Sequence, residues 1–255
     1  MMDRRLYILF LLPLLTALIA FFLTGELLFT ALGFVVGYLL VQALRFMLLP
    51  PHVHQAVRAY QRGDLEQALA LSNRAIEERP ERWEPYYLRA LIYFAHSELE
   101  PAEADARRAV ELKPDSDLNH LTLGQILYSQ ARFEEAEAAF EHAVRLRRGE
   151  GMNQFQLAAA RYQQDECAQA IPRLRQAIDL GIDNPQLRLL AHYYLARCLE
   201  REGQPEEAEA AYSEMQEHAE ALGRLKADVE RAPHYPALTR LQREVAAIEK
   251  RVRPV

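Results

Sequence analysis

Cysteine is almost missing from this chain of 255 residues: Cys167 and Cys198 are the two present, and their spacing fits neither a CxxC motif nor a disulfide framework. Each sits in Ala-rich sequence of helical character, where a thiol acts as a small apolar filler. Lysine is scarce as well, with Lys113, Lys226 and Lys250 the three among thirty basic residues. Residues 1–49 take three of the basic residues (Arg4, Arg5, Arg45) and two of the 36 acidic ones (Asp3, Glu26), leaving 27 against 34 in the rest of the chain. A mildly acidic body without a Lys and Arg cluster cannot displace counterions from a run of phosphates, which argues against a nucleic-acid groove. Glycine numbers ten and nowhere forms a phosphate-cradling loop or a nucleophile elbow. Of eight histidines, His52 and His54 form an isolated pair with no acidic or thiol ligand nearby; the others are scattered at helical positions. No cofactor, metal or catalytic residue is therefore expected, and the chain does not read as an enzyme.

Charge is also missing from two long stretches near the start. Residues 6–23 carry none, and at 1.5 Å per residue they span roughly 27 Å as a helix, close to the thickness of a bilayer's hydrocarbon core. Residues 27–49 form a second apolar run in which Arg45 stands near the end, and Thr24, Gly25 and Glu26 separate the two. The spacing predicts an antiparallel transmembrane hairpin, with Pro13 bending its first helix, because in lipid a helix satisfies its own backbone hydrogen bonds. Arg4 and Arg5 before the first span, and Arg45, Arg58 and Arg62 at or after the end of the second, place both termini and everything beyond in the cytoplasm of a bacterial inner (plasma) membrane. A cleaved signal peptide is the competing reading, weakened by the length of the run, the lack of an A-x-A site and the immediate second span. Thr16, Ala20 and Thr24 make a small-residue stripe on the first helix, and Gly33 and Gly37 make a GxxxG on the second. The stripes either face each other within the hairpin or pair two copies of the chain as a homo-oligomer.

What the chain has in abundance is periodicity. Ala56, Ala90, Gly124 and Ala158 are 34 residues apart, and Ala196 follows after 38. Ala68, Ala102, Ala136, Ala170 and Ala208 keep the same spacings, as do Ala75, Ala109, Ala143, Ala177 and Met215. Pro80 and Pro114 close two units at the same interval. Gly63 and Gly203 occupy short turns, with Ser97, Ala131 and Asp165 at the corresponding places. Such columns require helices that cross closely where side chains are small, with large residues filling the spaces around them.

The unit containing Leu123-Gly124, Leu127-Tyr128, Phe133, Ala136, Phe140 and Ala143 resembles the tetratricopeptide repeat family, whose 34-residue unit is a pair of antiparallel helices. The resemblance covers about residues 49–216 and implies an all-α chain. Its expected parts are the hairpin at 1–49, an α-solenoid of about five repeats at 50–216, and a helical extension or cap at 217–255. Departures include Ser72 and Ala106 in place of bulky residues, Arg148 and Ile182 in place of the terminal proline, and Pro172 inside a helix, where a kink is expected. The four extra residues between the fourth and fifth units fall in the turn-forming Gly181-Ile182-Asp183-Asn184-Pro185. Beyond them, residues 205–231 read as one long amphipathic helix, and 237–251 as a last helix with Leu238, Leu241, Val245 and Ile248 on one side. That last helix is either a solvating cap or a coiled-coil arm for a partner.

The resemblance implies that the first helix of each unit lines a concave groove. Its inward positions are Val53, Val57, Tyr60; Tyr87, Leu91, Phe94; Leu121, Gln125, Tyr128; Phe155, Ala159, Tyr162; and Tyr193, Arg197, Glu200. The column from Tyr60 to Tyr162 also suits packing against the neighbouring helix; the column Val53, Tyr87, Leu121, Phe155, Tyr193 reads as a binding surface for an apolar or amphipathic protein segment. Members that hold acidic chaperone tails use Lys, Asn and Arg where this chain has Val53, Val57, Leu88, Leu118 and Thr122, so a carboxylate tail is not the expected client. The stiff Pro50-Pro51 link sets His52, His54, Arg58 and Arg62 close to lipid headgroups. The expected function is a membrane-tethered adaptor or assembly factor for client proteins, the alternative a permanent subunit of a larger membrane complex held by its hairpin.

Overall fold

The computed structural model describes residues 51–231 and 236–252, and before them Thr16, Ile19, Gly33 and residues 35–39. No strand occurs among the described residues. The chain divides into two units, Met1–Arg79 and Pro80–Val255.

In the first unit, α1 (Pro51–Gln61) and α2 (Leu65–Glu78) form one helical pair. Ala56 and Ala59 of α1 and Ala68, Ser72 and Ala75 of α2 are fully buried, so the pair closes on small side chains. Ser72 removes its hydroxyl from apolar surroundings by donating to the Ala68 carbonyl (2.8 Å). His52 meets Glu78 at 3.1 Å, tying the start of α1 to the end of α2. The expected spans lie outside the described residues apart from the few positions named above, as do Ala20 and Thr24. Among the described residues no helix is long and apolar enough to cross a membrane. The described positions there are helical, and the Thr16 hydroxyl donates to the Gly33 carbonyl at 2.8 Å. Gly37 is buried, whereas Ile19, Val35, Val36, Tyr38 and Leu39 are exposed.

The second unit holds four more pairs: α3 (Trp83–Ala95) with α4 (Leu99–Leu112), α5 (Asp117–Ser129) with α6 (Phe133–Leu146), α7 (Gly151–Gln163) with α8 (Cys167–Leu180), and α9 (Pro185–Arg201) with α10 (Pro205–Glu217). All five turns inside pairs, that of the first unit included, end the first helix identically. The residue after the cap takes positive φ at Gly63, Ser97, Ala131, Asp165 and Gly203. In the third repeat Ala131 N–H reaches Tyr128 O at 2.9 Å and Arg132 N–H reaches Leu127 O at 3.0 Å, and the other four turns repeat this double bond. It satisfies carbonyls that the helix end leaves without partners. Glycine relieves the backbone strain in two of the turns; serine, alanine and aspartate bear it in three.

Within each pair the small columns set how closely backbones approach. A Cβ added at Gly124 would clash with the edge of the Phe140 ring, which is itself fully buried. Between pairs, buried asparagines join neighbours: Asn119 Nδ2 donates to Ala109 O (2.9 Å), at the end of α4, and Asn153 Nδ2 to Ala143 O (3.4 Å), at the end of α6. Two apolar clusters result, one centred on Leu127, Phe140 and Leu157 and one on Leu174, Leu189 and Met215; Tyr128 packs against both.

Three expectations are corrected. The four extra residues of the fifth repeat do not lengthen a loop: α9 has 17 residues where α7 has 13, so the insertion adds one helical turn and keeps the facing register. Gly181 (φ +87°) ends α8 and the Asn184 side chain caps α9. The segment 205–231 is not one helix, because it breaks at His218 into α10, a short 3-10 turn (Ala219–Ala221) and α11 (Leu222–Arg231). Pro172, exposed, leaves α8 unbroken from Cys167 to Leu180. The last helix, α12 (Leu238–Arg251), follows as expected.

Gly124→Ala should lower the stability of the folded chain by about 1–3 kcal/mol, the usual cost of overpacking a filled site. Ala131→Gly should stabilise by about 0.5 kcal/mol, the relief of left-handed strain exceeding the extra freedom of the unfolded chain. Denaturant titration followed by circular dichroism measures both, and the two variants should move the midpoint in opposite directions.

Candidate functional site

The inward positions of the first helices divide into two environments. In the first unit Val53 is buried, Tyr60 half-buried and Val57 exposed. In the second and third repeats Tyr87, Leu91, Phe94, Leu121, Gln125 and Tyr128 are all half-buried. Tyr87 packs edge-on against Trp83 with ring centres 5.9 Å apart, and Tyr128 packs edge-on against Phe133 at 5.2 Å. Tyr128 also accepts a hydrogen bond from Gln163 Nε2 (2.8 Å), which links the third and fourth repeats. This stretch presents a partly open aromatic and aliphatic face.

In the fourth and fifth repeats the same face is covered. Phe155, Ala159, Tyr162 and Tyr193 are each 3% exposed and share one apolar cluster with α12, whose Arg240 lies over the Tyr162 ring. The helix sets Leu238, Val245 and Ile248 into the apolar cluster and half-buries Leu241 against it. Three of the polar contacts at or beside this helix fall near the C-terminal ends of successive first helices. Ala237 N–H points to Ser129 O at the end of α5 (3.4 Å). Arg240 donates to Gln163 O (2.8 Å) and Tyr162 O (3.3 Å) at the end of α7. Arg251 bonds Glu200 near the end of α9 (2.8 Å), and Glu200 also holds Arg197 (2.6 Å). Cationic groups are favoured there by orphan carbonyls and by the negative end of the helix dipole.

Beneath α12 the aromatic rings stack. Tyr194 lies parallel to Tyr162 at 4.3 Å, and the Arg240 and Arg201 guanidinium groups sit 5.1 and 5.5 Å from the Tyr162 ring centre. The Tyr194 hydroxyl donates to Glu244 Oε2 at 2.9 Å. Glu244 Oε1 is 3.4 Å from Arg240 Nε but makes no hydrogen bond. Burial raises the Glu244 pKa, with Tyr194 and Arg240 opposing the rise, and burial holds the Tyr194 phenol far above its ordinary value. A shallow cleft of about 380 Å³ beside this contact is lined by Tyr162, Asp165, Tyr193, Arg197, Arg201 and Arg240, among others. Arg197, Arg201 and Arg240 are already bound to Glu200, Asp165 and backbone carbonyls. Burial also pushes the Cys198 thiol up, so it carries little thiolate character. Among the described residues no three His, Cys, Asp or Glu side chains gather to hold a metal ion.

The sequence picks out the columns that build this face but misses Tyr194, Arg240 and Glu244. A signal for them exists. Arg240 and Glu244 interrupt an apolar helix face at a spacing of four, and Tyr194 doubles Tyr193 on a helix whose apolar surface is too broad for one neighbour.

A carboxyl whose folded pKa is raised supports the fold while protonated, below its unfolded value, and loses that support as the pH climbs through the folded one. Seating of α12 should therefore weaken above the ordinary carboxylate range. The groups facing Glu244 are Tyr193 and Tyr194 from α9, Tyr162 from α7, Tyr128 from α5 and Arg240 on its own helix; the tyrosines stay neutral through this range. Glu244→Gln should raise the melting temperature at pH 8 and leave it unchanged at pH 4. An equal shift at both values would show that the carboxylate does not tune the contact.

The repeat pattern, the five identical turns and the paired helices agree with the comparisons. Models described as "Tetratricopeptide repeat" match residues 54–117 and 155–222, and a second such model matches 119–150. Among solved structures the chain is similar to YrrB, titled "a TPR protein with an unusual peptide-binding site", at 17% identity over 67% of this chain and 86% of that one, TM-score 0.59. It is similar to MamA from Desulfovibrio magneticus RS-1 at 16% identity over 68% and 98% of the two chains, TM-score 0.59. A further MamA structure matches at 18% identity over 72% and 96%, TM-score 0.58. Comparison with curated proteins gave no match. With the family models covering more than half its length, the chain belongs to the tetratricopeptide repeat family.

Proposed function

We propose that this protein is a scaffold that gathers a client protein at the cytoplasmic face of a bacterial inner membrane, held there by its first 49 residues. The observation that carries the client-binding part is the inward face of the second and third repeats, where Tyr87, Leu91, Phe94 and Leu121 remain partly open beside a stretch that already holds a helix. The peptide-binding site in the YrrB title supports the same use of a repeat face. Tethering rests on the two apolar runs, on the basic residues that flank them, and on the contact between Thr16 and Gly33. Buried Gly37 amid exposed Val35, Val36, Tyr38 and Leu39 is the burial pattern of a helix whose large side chains meet lipid while small ones meet another helix. The client is apolar or amphipathic, and nucleic acid is not a partner.

A second reading makes the protein a permanent subunit of a membrane complex, held by the hairpin, with Gly33 and Gly37 available for pairing between copies. The covered face of the fourth and fifth repeats favours it. Two experiments separate the readings. Tyr87→Ala with Leu121→Ala should cut client capture from gently solubilised membranes by about tenfold while the helical signal stays constant, and undiminished capture removes the face from consideration. Replacing residues 1–49 by an unrelated anchor should preserve capture; loss of capture selects the subunit reading. Deleting those residues should move the protein from the carbonate-washed membrane pellet to the supernatant.

A further inference from the structure

We propose that the face of the third, fourth and fifth repeats receives, from a client, an amphipathic helix built like α12, and that α12 is the competitor the client displaces. This deepens the client-binding reading above and rests on it.

The seat has chemical requirements that can be read from its present occupant. It offers the Gln163 and Tyr162 carbonyls at the end of α7, which take a guanidinium, the second while also accepting the Asp165 N–H. One turn further along, the Tyr194 hydroxyl needs an acceptor, which Glu244 supplies. On either side of these, Leu238, Val245 and Ile248 enter the apolar cluster that contains Phe155, Tyr162 and Tyr193. A client helix therefore carries arginine, a carbonyl-bearing side chain four residues later, and aliphatic residues at relative positions matching these three.

Three features make α12 replaceable. Its outer face, including Thr239, Gln242, Arg243, Ala246 and Lys250, is exposed, and Glu249 there meets only Lys226 of the adjoining α11 among the described residues (2.9 Å). Its hold on the floor depends on few apolar side chains. Its acceptor for Tyr194 is a buried carboxyl whose ionised form is costly to desolvate, a cost that a neutral amide at the same place lowers. An empty seat would expose the aromatic floor to water and exchange the Tyr194–Glu244 bond for one to solvent, so a substitute of the same chemistry favours release. A second copy of the chain would exchange one α12 for an identical one and gain nothing, which is why a different protein is the favoured occupant.

The probe is a fluorescein-labelled synthetic peptide of residues 236–252, with a second version carrying Glu244→Gln, titrated by anisotropy against the full chain in detergent micelles. The full chain with Leu238→Ser and Ile248→Ser, which loosens α12 in place, should bind the peptide at least tenfold more tightly than the unaltered chain. The Gln version should bind more tightly than the Glu version. Arg240→Ala in the full chain provides a milder second variant should the double change unfold the repeats, which circular dichroism reports. Equal binding to altered and unaltered chains, or no binding to a folded altered chain, overturns the proposal. Concentration-dependent dimers of the unaltered chain that disappear with the double change overturn it in favour of exchange between copies. If the peptide fails while Tyr87→Ala with Leu121→Ala still abolishes client capture, this inference falls and the proposed function stands.

Discussion

Everything in the repeats depends on how closely two helix backbones approach where side chains are smallest. Ala102 and Ala90, Ala136 and Gly124, Ala170 and Ala158 are fully or nearly fully buried, and Gly124 admits the Phe140 ring into space that a methyl group would fill. Close approach lets the surrounding large residues interdigitate without voids, which is where packing attraction is gained. It also fixes the distance that each turn must bridge. The five turns therefore share one geometry, even where Ser97, Ala131 and Asp165 must adopt a conformation that costs them energy.

The same geometry creates the candidate site. Pairs stacked in one register bring the ends of successive first helices onto one side, with carbonyls that the helices themselves cannot satisfy. Aromatic residues such as Tyr128 and Tyr162 pack neighbouring repeats together while presenting an edge or a face outward. Helix α12 uses both features, setting aliphatic side chains on the rings and cationic groups on the helix ends. Ion pairs such as Arg132 with Glu103 and Arg161 with Glu137 link second helices to their neighbours, but at exposed or partly exposed positions they set register more than they add stability.

Period 34 made most of this legible in the amino-acid sequence. The columns at Ala68, Ala102, Ala136, Ala170 and Ala208 gave the pairs, and aligning Gly63 with Ser97 and Ala131 located turns that no local glycine or proline marks. Two departures have physical reasons. Gly181 to Pro185 has the chemistry of a loop, yet four residues are close to one turn of helix, and lengthening α9 keeps the same turn geometry at Gly203. The break at His218 has no glycine or proline beside it, and its cause is tertiary: Leu222, Leu225 and Val229 have to turn back toward α9 and α12. Burial of Phe155, Tyr162 and Tyr193 was not legible for a related reason, since periodicity tells which face is apolar but not which distant segment comes to cover it. The charge-free runs before residue 50 were plain in the sequence, and they lie almost wholly outside the described residues.

An array whose members touch only their immediate neighbours melts from its ends, one member at a time. Helix α12 changes that arithmetic, because Ser129, Gln163 and Glu200 belong to three consecutive members and all bond to the same rod. Loss of any one of the three weakens the grip on the other two. While the rod is seated, this end of the array behaves as a single thermodynamic block; once it leaves, the block reverts to separable links.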